Sequence, residues 1–66
     1  MNTYTVSIRR MVTDTKWKEI NRITYSSYEY AMQEFRSQVR EHSQREESVK
    51  ISCTEGKLIL GVFSIK

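Results

Sequence analysis

The sequence predicts an α+β fold, ββαββ, in which one helix packs on one face of a four-stranded sheet. Three observations carry that reading. Residues 3–12 alternate polar and apolar, a middle segment repeats its apolar residues at three- and four-residue steps, and the last ten residues, K-L-I-L-G-V-F-S-I-K, set six large apolar side chains between two lysines. The first is the period of a half-buried strand and the second that of an amphipathic helix. The third is too short and too β-branched for a helix with Gly61 inside it, so it is read as a strand that is apolar on both faces.

In the first strand Tyr4, Val6, Ile8 and Val12 share one side, with Arg10 the exception, and Thr3, Thr5, Ser7, Arg9 and Met11 share the other. Thr13-Asp14-Thr15-Lys16 reads as a turn, because Asp and Thr side chains bond their own backbone there. Closing it around Asp14-Thr15 pairs Val12 with Trp17, Arg10 with Glu19, Ile8 with Asn21, Val6 with Ile23 and Tyr4 with Tyr25. This register sets apolar beside apolar and a guanidinium beside a carboxylate, and a slip by one residue scrambles it.

Ser26 is expected to open the helix. With Glu29 three residues on, S-S-Y-E has the form of a capping box, and Tyr25 and Tyr30 have the spacing of a hydrophobic staple. Tyr28, Ala31, Met32, Phe35, Val39 and His42 then form one apolar stripe, opposite Glu29, Gln33, Arg36, Arg40 and Gln44. The helix ends where Gln44-Arg45-Glu46-Glu47 loses that rhythm.

Val49, Ile51 and Cys53 alternate with Lys50, Ser52 and Thr54 as a third strand, and Glu55-Gly56 is a hairpin signal because Gly accepts positive φ. Pairing across it sets Cys53 beside Leu58, Ile51 beside Leu60 and Val49 beside Val62 on the helix side, leaving Ile59, Phe63 and Ile65 on the other. The strand order is then 2-1-4-3, mixed, or 2-1-3-4, antiparallel throughout. The two-sided apolarity of the last strand favours the first order by giving that strand an inside place, while the prevalence of antiparallel pairing favours the second.

Sixty-six residues make one domain, residues 1–66, near the size at which a core sustains itself without disulfides or metal. One cysteine, Cys53, and one histidine, His42, exclude a disulfide framework and a Cys/His metal cage. No run approaches the roughly 20 apolar residues of a membrane span, and M-N-T-Y-T-V-S-I-R-R lacks the charged and apolar regions of a signal peptide. A free-standing cytoplasmic protein with no membrane contact is expected. The net charge of +3 is uneven: residues 1–25 hold five basic side chains against two acidic, residues 26–48 three against five, and residues 49–66 three against one. The cationic excess sits on the sheet, and a pI near 9.2 permits an acidic partner.

One Asp, one His and the lack of a Gly-rich phosphate loop leave no general acid/base pair, so no enzyme, cofactor, metal or small-molecule substrate is expected. His42 and Cys53 both fall on inward faces, where they read as a helix-end histidine and a small inert hydrophobe, not as a thiolate–imidazole pair.

The sheet face without a helix is expected to present Arg9, Met11, Lys18, Ile20 and Arg22 from the first hairpin and Ile59, Phe63 and Ile65 from the last strand. Such an apolar centre with a basic flank suits a protein partner or a homodimer, with Ile59, Phe63, Ile65, Ile20, Met11, Arg9 and Arg22 as the contact set. The plainer alternative folds Phe63 and Ile65 over the sheet edge. A second expectation is nucleic-acid binding by Arg9, Lys16, Trp17, Lys18 and Arg22, which mix cations with an aromatic ring as phosphate-and-base surfaces do. Its plainer alternative packs Trp17 on Val12, with the lysines keeping a hairpin edge blunt. The helix surface with Glu29, Arg36, Arg40, Glu41 and Arg45 is most simply solvated, Glu41 and Arg45 standing one turn apart.

In size and ββαββ layout the chain resembles small phage and mobile-element proteins that inhibit host machinery, anti-CRISPR proteins among them. The resemblance covers the whole chain through its outline and is carried by no residue motif, so it transfers no site residues. It implies a small non-enzymatic inhibitor working by protein contact, in the host cytoplasm if phage-encoded.

Overall fold

The computed structural model describes residues 2–45 and 48–65. Its elements are β1 (Tyr4–Thr13), β2 (Lys16–Tyr25), α1 (Tyr28–Ser43), β3 (Val49–Glu55) and β4 (Leu58–Ile65). The sheet is antiparallel throughout, in the order β2-β1-β3-β4, so β4 lies at an edge and not inside as its two apolar faces favoured. The inside places go to β1 and β3, the strands whose inward faces carry the buried residues. Val6, Ile8, Ile51 and Cys53 from these strands meet Ala31 of α1 in the core, ringed by Tyr4, Tyr25, Met32, Phe35, Val39, Leu60 and Phe63. Burying a Val or Ile side chain contributes about 1.5–3 kcal/mol, so these two strands carry most of the apolar stabilisation.

Helix α1 follows the expected stripe. Ala31 and His42 are buried, while Glu29, Gln33, Arg36, Arg40 and Gln44 are exposed. Its cap is one residue later than expected: Ser27, not Ser26, accepts the Tyr30 backbone N–H, at 3.5 Å. The third position is then Tyr30, which removes the capping-box role from Glu29 and leaves that carboxylate to favour the helix dipole from the first turn. Tyr28 makes the aromatic contact at this end, edge-on to Tyr4 with ring centroids 5.8 Å apart, and Tyr30 is exposed. The helix stops at Ser43 with Gln44 as its C-cap, and Glu41 pairs with Arg45 at 3.0 Å. Glu46 and Glu47 of the charged run lie outside the described residues.

The first hairpin keeps the expected register from Tyr4↔Tyr25 to Ile8↔Asn21 and then shifts. Ile20 is an extra residue in β2, and beyond it Arg9 faces Glu19, Arg10 faces Lys18 and Met11 faces Trp17. The expected pairs Arg10–Glu19 and Val12–Trp17 are therefore absent, Val12 being a second extra residue before Thr13↔Lys16. Thr13 Oγ1 ties the turn by accepting the Lys16 N–H at 3.1 Å. On its other side β1 pairs with β3 from Tyr4 to Arg10, with Met11 N–H donating to the Ser48 carbonyl at 3.1 Å. The rest of the hairpin projects as a two-stranded overhang.

The second hairpin turns on Gly56-Lys57, one residue later than expected, with Gly56 at φ 59°. Glu55 faces Leu58 and Thr54 faces Ile59; then Leu60 is skipped and Cys53 faces Gly61, Ser52 faces Val62, Ile51 faces Phe63 and Val49 faces Ile65. One extra residue reverses which side chains of β4 turn to the helix. Its physical cause is the Phe35 ring, which rests on Gly61 so closely that a Cβ there would lie 3.2 Å from it. Glycine inside this strand marks that close approach.

Candidate functional site: the open sheet face

Residues directly opposite one another share a face, so the pairings define what the helix-free side presents. Running from β2 to β4, one row is Glu19, Arg9, Lys50 and Ser64; the next is Arg22, Ser7, Ser52 and Val62; the third is Thr24, Thr5, Thr54 and Ile59. Trp17 and Met11 continue the face onto the overhang. The middle is hydroxylic, with Ser7 Oγ and Ser52 Oγ 3.1 Å apart. Its β4 margin is aliphatic, Ile59 being 63% and Val62 50% exposed.

The residues of the expected contact set divide between the two faces. Ile59, Met11, Arg9 and Arg22 stand on this face, and Ile20 is the extra residue of β2, 43% exposed. Phe63 and Ile65 do not stand here: each is opposite a buried residue of β3 and half-buried on the helix side, Phe63 packing against the core. The extra Leu60 is the reason, and Val62 takes their place. Val62 is the residue of this face that alternation puts on the helix side, and Gly61, the one glycine within a strand, is the signal for that break; Lys50 stands on the open side as its alternation with Val49 and Ile51 predicts, outside the expected contact set. Of the basic hairpin set, Arg9, Trp17 and Arg22 are on the open face, Lys18 is opposite Arg10 on the other side, and Lys16 sits at the turn opposite Thr13.

Charge on this face is arranged by the same kind of irregularity. Residues three apart on a regular strand point to opposite sides, yet Arg22 Nε donates to Glu19 Oε1 at 2.9 Å, because the extra Ile20 between them brings both to one face. Arg9 stands between Glu19 and Lys50. Arg9, Arg22 and Lys50 thus share this face with the single carboxylate of Glu19, and the Arg9–Lys50 pair sets like charges directly across the two central strands, an arrangement that costs stability. Arg9, Lys50, Ser52, Thr54, Ile59 and Val62 line a hollow of about 300 Å³ with cations on one wall and aliphatic side chains on the other. A wider hollow, about 490 Å³, opens at the base of the overhang among Arg10, Met11, Val12, Thr13, Asp14 and Ser48. It lacks the aliphatic wall made by Ile59 and Val62.

Elsewhere the chemistry is muted. Cys53 is fully buried, and burial pushes its thiol up, which disfavours the nucleophilic thiolate. Among the described residues no three His, Cys, Asp or Glu side chains gather to hold a metal ion, and no helix is long and apolar enough to cross a membrane. No family model, curated protein or solved structure matches the chain.

Proposed function

We propose that the protein is a non-enzymatic binding module that occupies a surface of a partner protein through its open sheet face, as a small inhibitor of host machinery of the phage-encoded, anti-CRISPR-like kind. One observation carries this reading: exposed Ile59 and Val62 and the cations Arg9 and Lys50 share one hollow on a face that no helix covers. Apolar anchors beside charged groups are what protein interfaces concentrate, and the Arg9–Lys50 apposition is relieved when a carboxylate arrives between them. The contact set becomes Ile59, Val62, Arg9, Lys50 and Arg22, with Met11 and Ile20 at its margin. The inhibitory role rests on size and ββαββ outline.

The test compares the intact protein with an Ile59→Asp/Val62→Asp variant in capture from a lysate of the organism carrying the gene. Both side chains are exposed, so the variant keeps its circular dichroism spectrum. Capture falls by about tenfold or more, equivalent to roughly 1.4 kcal/mol, and the activity of the captured partner drops when the intact protein is added. Equal capture by both proteins overturns the reading.

Nucleic-acid binding is favoured by a separate observation, the position of Trp17 opposite Met11 on the open face with Arg9 and Arg22 on the same side. This reading predicts that affinity for single-stranded oligonucleotides falls steeply between about 50 and 200 mM salt and is lost in Trp17→Ala. The proposed protein contact does not include Trp17 and survives Trp17→Ala.

A further inference from the structure

We infer that the partner segment enters as a fifth strand along the outer edge of β4, extended, with an acidic residue opposite Ser64 and an apolar residue opposite Val62. This rests on the open-face reading and adds where the partner's backbone lies. Among the described residues no strand lies outside β4. Edge strands are normally blunted by charge, proline or a bulge, and Leu58–Ile65 contains neither a charged residue nor a proline. Its one irregularity, at Leu60, lies toward the turn and leaves Gly61–Ile65 in unbroken register with Val49–Cys53. An open edge of this kind offers main-chain hydrogen bonds for affinity and alternate side-chain positions for specificity.

Charge selects the occupant. Lys50 is directly inside Ser64, and Arg9 is directly inside Lys50. In that row Arg9 has Glu19 on its far side, whereas Lys50 has only the short Ser64 between it and the edge. A strand added outside β4 lies about 10 Å from β3, two strand spacings, a gap that a lysine and a glutamate close from the two sides across a serine. A second copy of this chain does not fit. Its β4, Leu58–Ile65, is uncharged and supplies no carboxylate to Lys50.

The test is selection of displayed random heptapeptides on the intact protein and on Lys50→Glu, followed by amide exchange of the selected complex. The expected peptides alternate polar and apolar, carry one Asp or Glu, and slow exchange at Gly61–Ile65. N-methylation of the amides on one peptide edge weakens binding by about tenfold or more, and on the other edge by less than about twofold. Lys50→Glu turns the selected acid into Lys or Arg. If selected peptides need Ile59 and Val62 but tolerate N-methylation on either edge, strand addition is overturned while the open-face reading stands. Peptides indifferent to both Lys50→Glu and Ile59→Asp/Val62→Asp overturn both. A failure to enrich any alternating acidic peptide, or dimerisation of the protein through β4, overturns the inference by itself.

Discussion

The two edges of the sheet, β2 and β4, each contain an extra residue, and the outcomes are opposite. In β2 the extra Ile20 gathers Glu19 and Arg22 on one face, where they pair at 2.9 Å. In β4 the extra Leu60 sends Phe63 and Ile65 under the helix and brings Val62 out beside Ile59. One edge is charged and locally neutralised; the other is uncharged and aliphatic. The same backbone irregularity blunts one edge and sharpens the other, depending on which residues follow it.

The strongest way to break this contrast is to remove what holds β4 in place. Phe35→Ala takes away the ring that rests on Gly61. Because the ring is half-buried, the expected loss is about 2–4 kcal/mol, toward the lower end for aromatic truncation, read by urea denaturation. Ile20→Ala at the corresponding irregularity of β2, where the side chain is 43% exposed and outside the core, changes stability by about 0.5 kcal/mol or less. Equal losses at the two sites would erase the distinction.

Gly61→Val probes the same contact from the other side. A branched side chain at a position where even a Cβ comes within 3.2 Å of the Phe35 ring overpacks the site and lowers stability by about 1–3 kcal/mol. A neutral result in the same denaturation experiment would mean that the ring has room to move and does not set the irregularity.

The alternation of residues 3–12, the helical stripe and the two-hairpin order were legible in the sequence, because each is a local period enforced by a core on one side. The break in β4 is not local. It depends on Phe35, far away in the chain, seating on Gly61, and a period-2 reading carries its phase straight through such a break. Such a reading puts Phe63 and Ile65 on the open face and Val62 on the helix side. A register closed around Asp14-Thr15 sets Arg10 beside Glu19, whereas the extra Ile20 gives Glu19 to Arg9 and Lys18 to Arg10. The edge position of β4 is one of the two orders the sequence leaves open, and apolarity disfavours it for a related reason: two apolar faces mimic a fully covered inner strand, but here Leu58, Ile59 and Val62 are exposed and Leu60, Phe63 and Ile65 only half-buried.

Smaller effects sharpen the account of β2. Glu19→Gln releases Arg22 from an exposed pair and changes stability by about 0.5 kcal/mol or less, while the added positive charge speeds association with an acidic partner at low salt. Stopped-flow rates at two ionic strengths check this, and an unchanged rate would separate the cations from the contact. At the end of β2, Tyr25 donates its hydroxyl to Glu34 Oε1 at 3.4 Å, and burial, aided by that carboxylate, raises its pKa above the ordinary tyrosine value. A folded value above the unfolded one means that the stabilising contribution is fully present below about pH 10 and is lost as pH rises through the folded value. Glu34→Gln brings the ultraviolet titration of Tyr25 downward toward the ordinary value; a midpoint that does not move would leave burial as the whole cause.

The most direct measurement of β4 and its use is broadening of methyl NMR signals by a soluble paramagnetic probe, with the protein free and in its partner complex. In the free protein the methyls of Ile59 and Val62 broaden strongly and those of Ile65 much less; in the complex Ile59 and Val62 become protected. Ile65 broadening as strongly as Ile59 in the free protein, or Ile59 and Val62 staying broadened once the partner is bound, contradicts it.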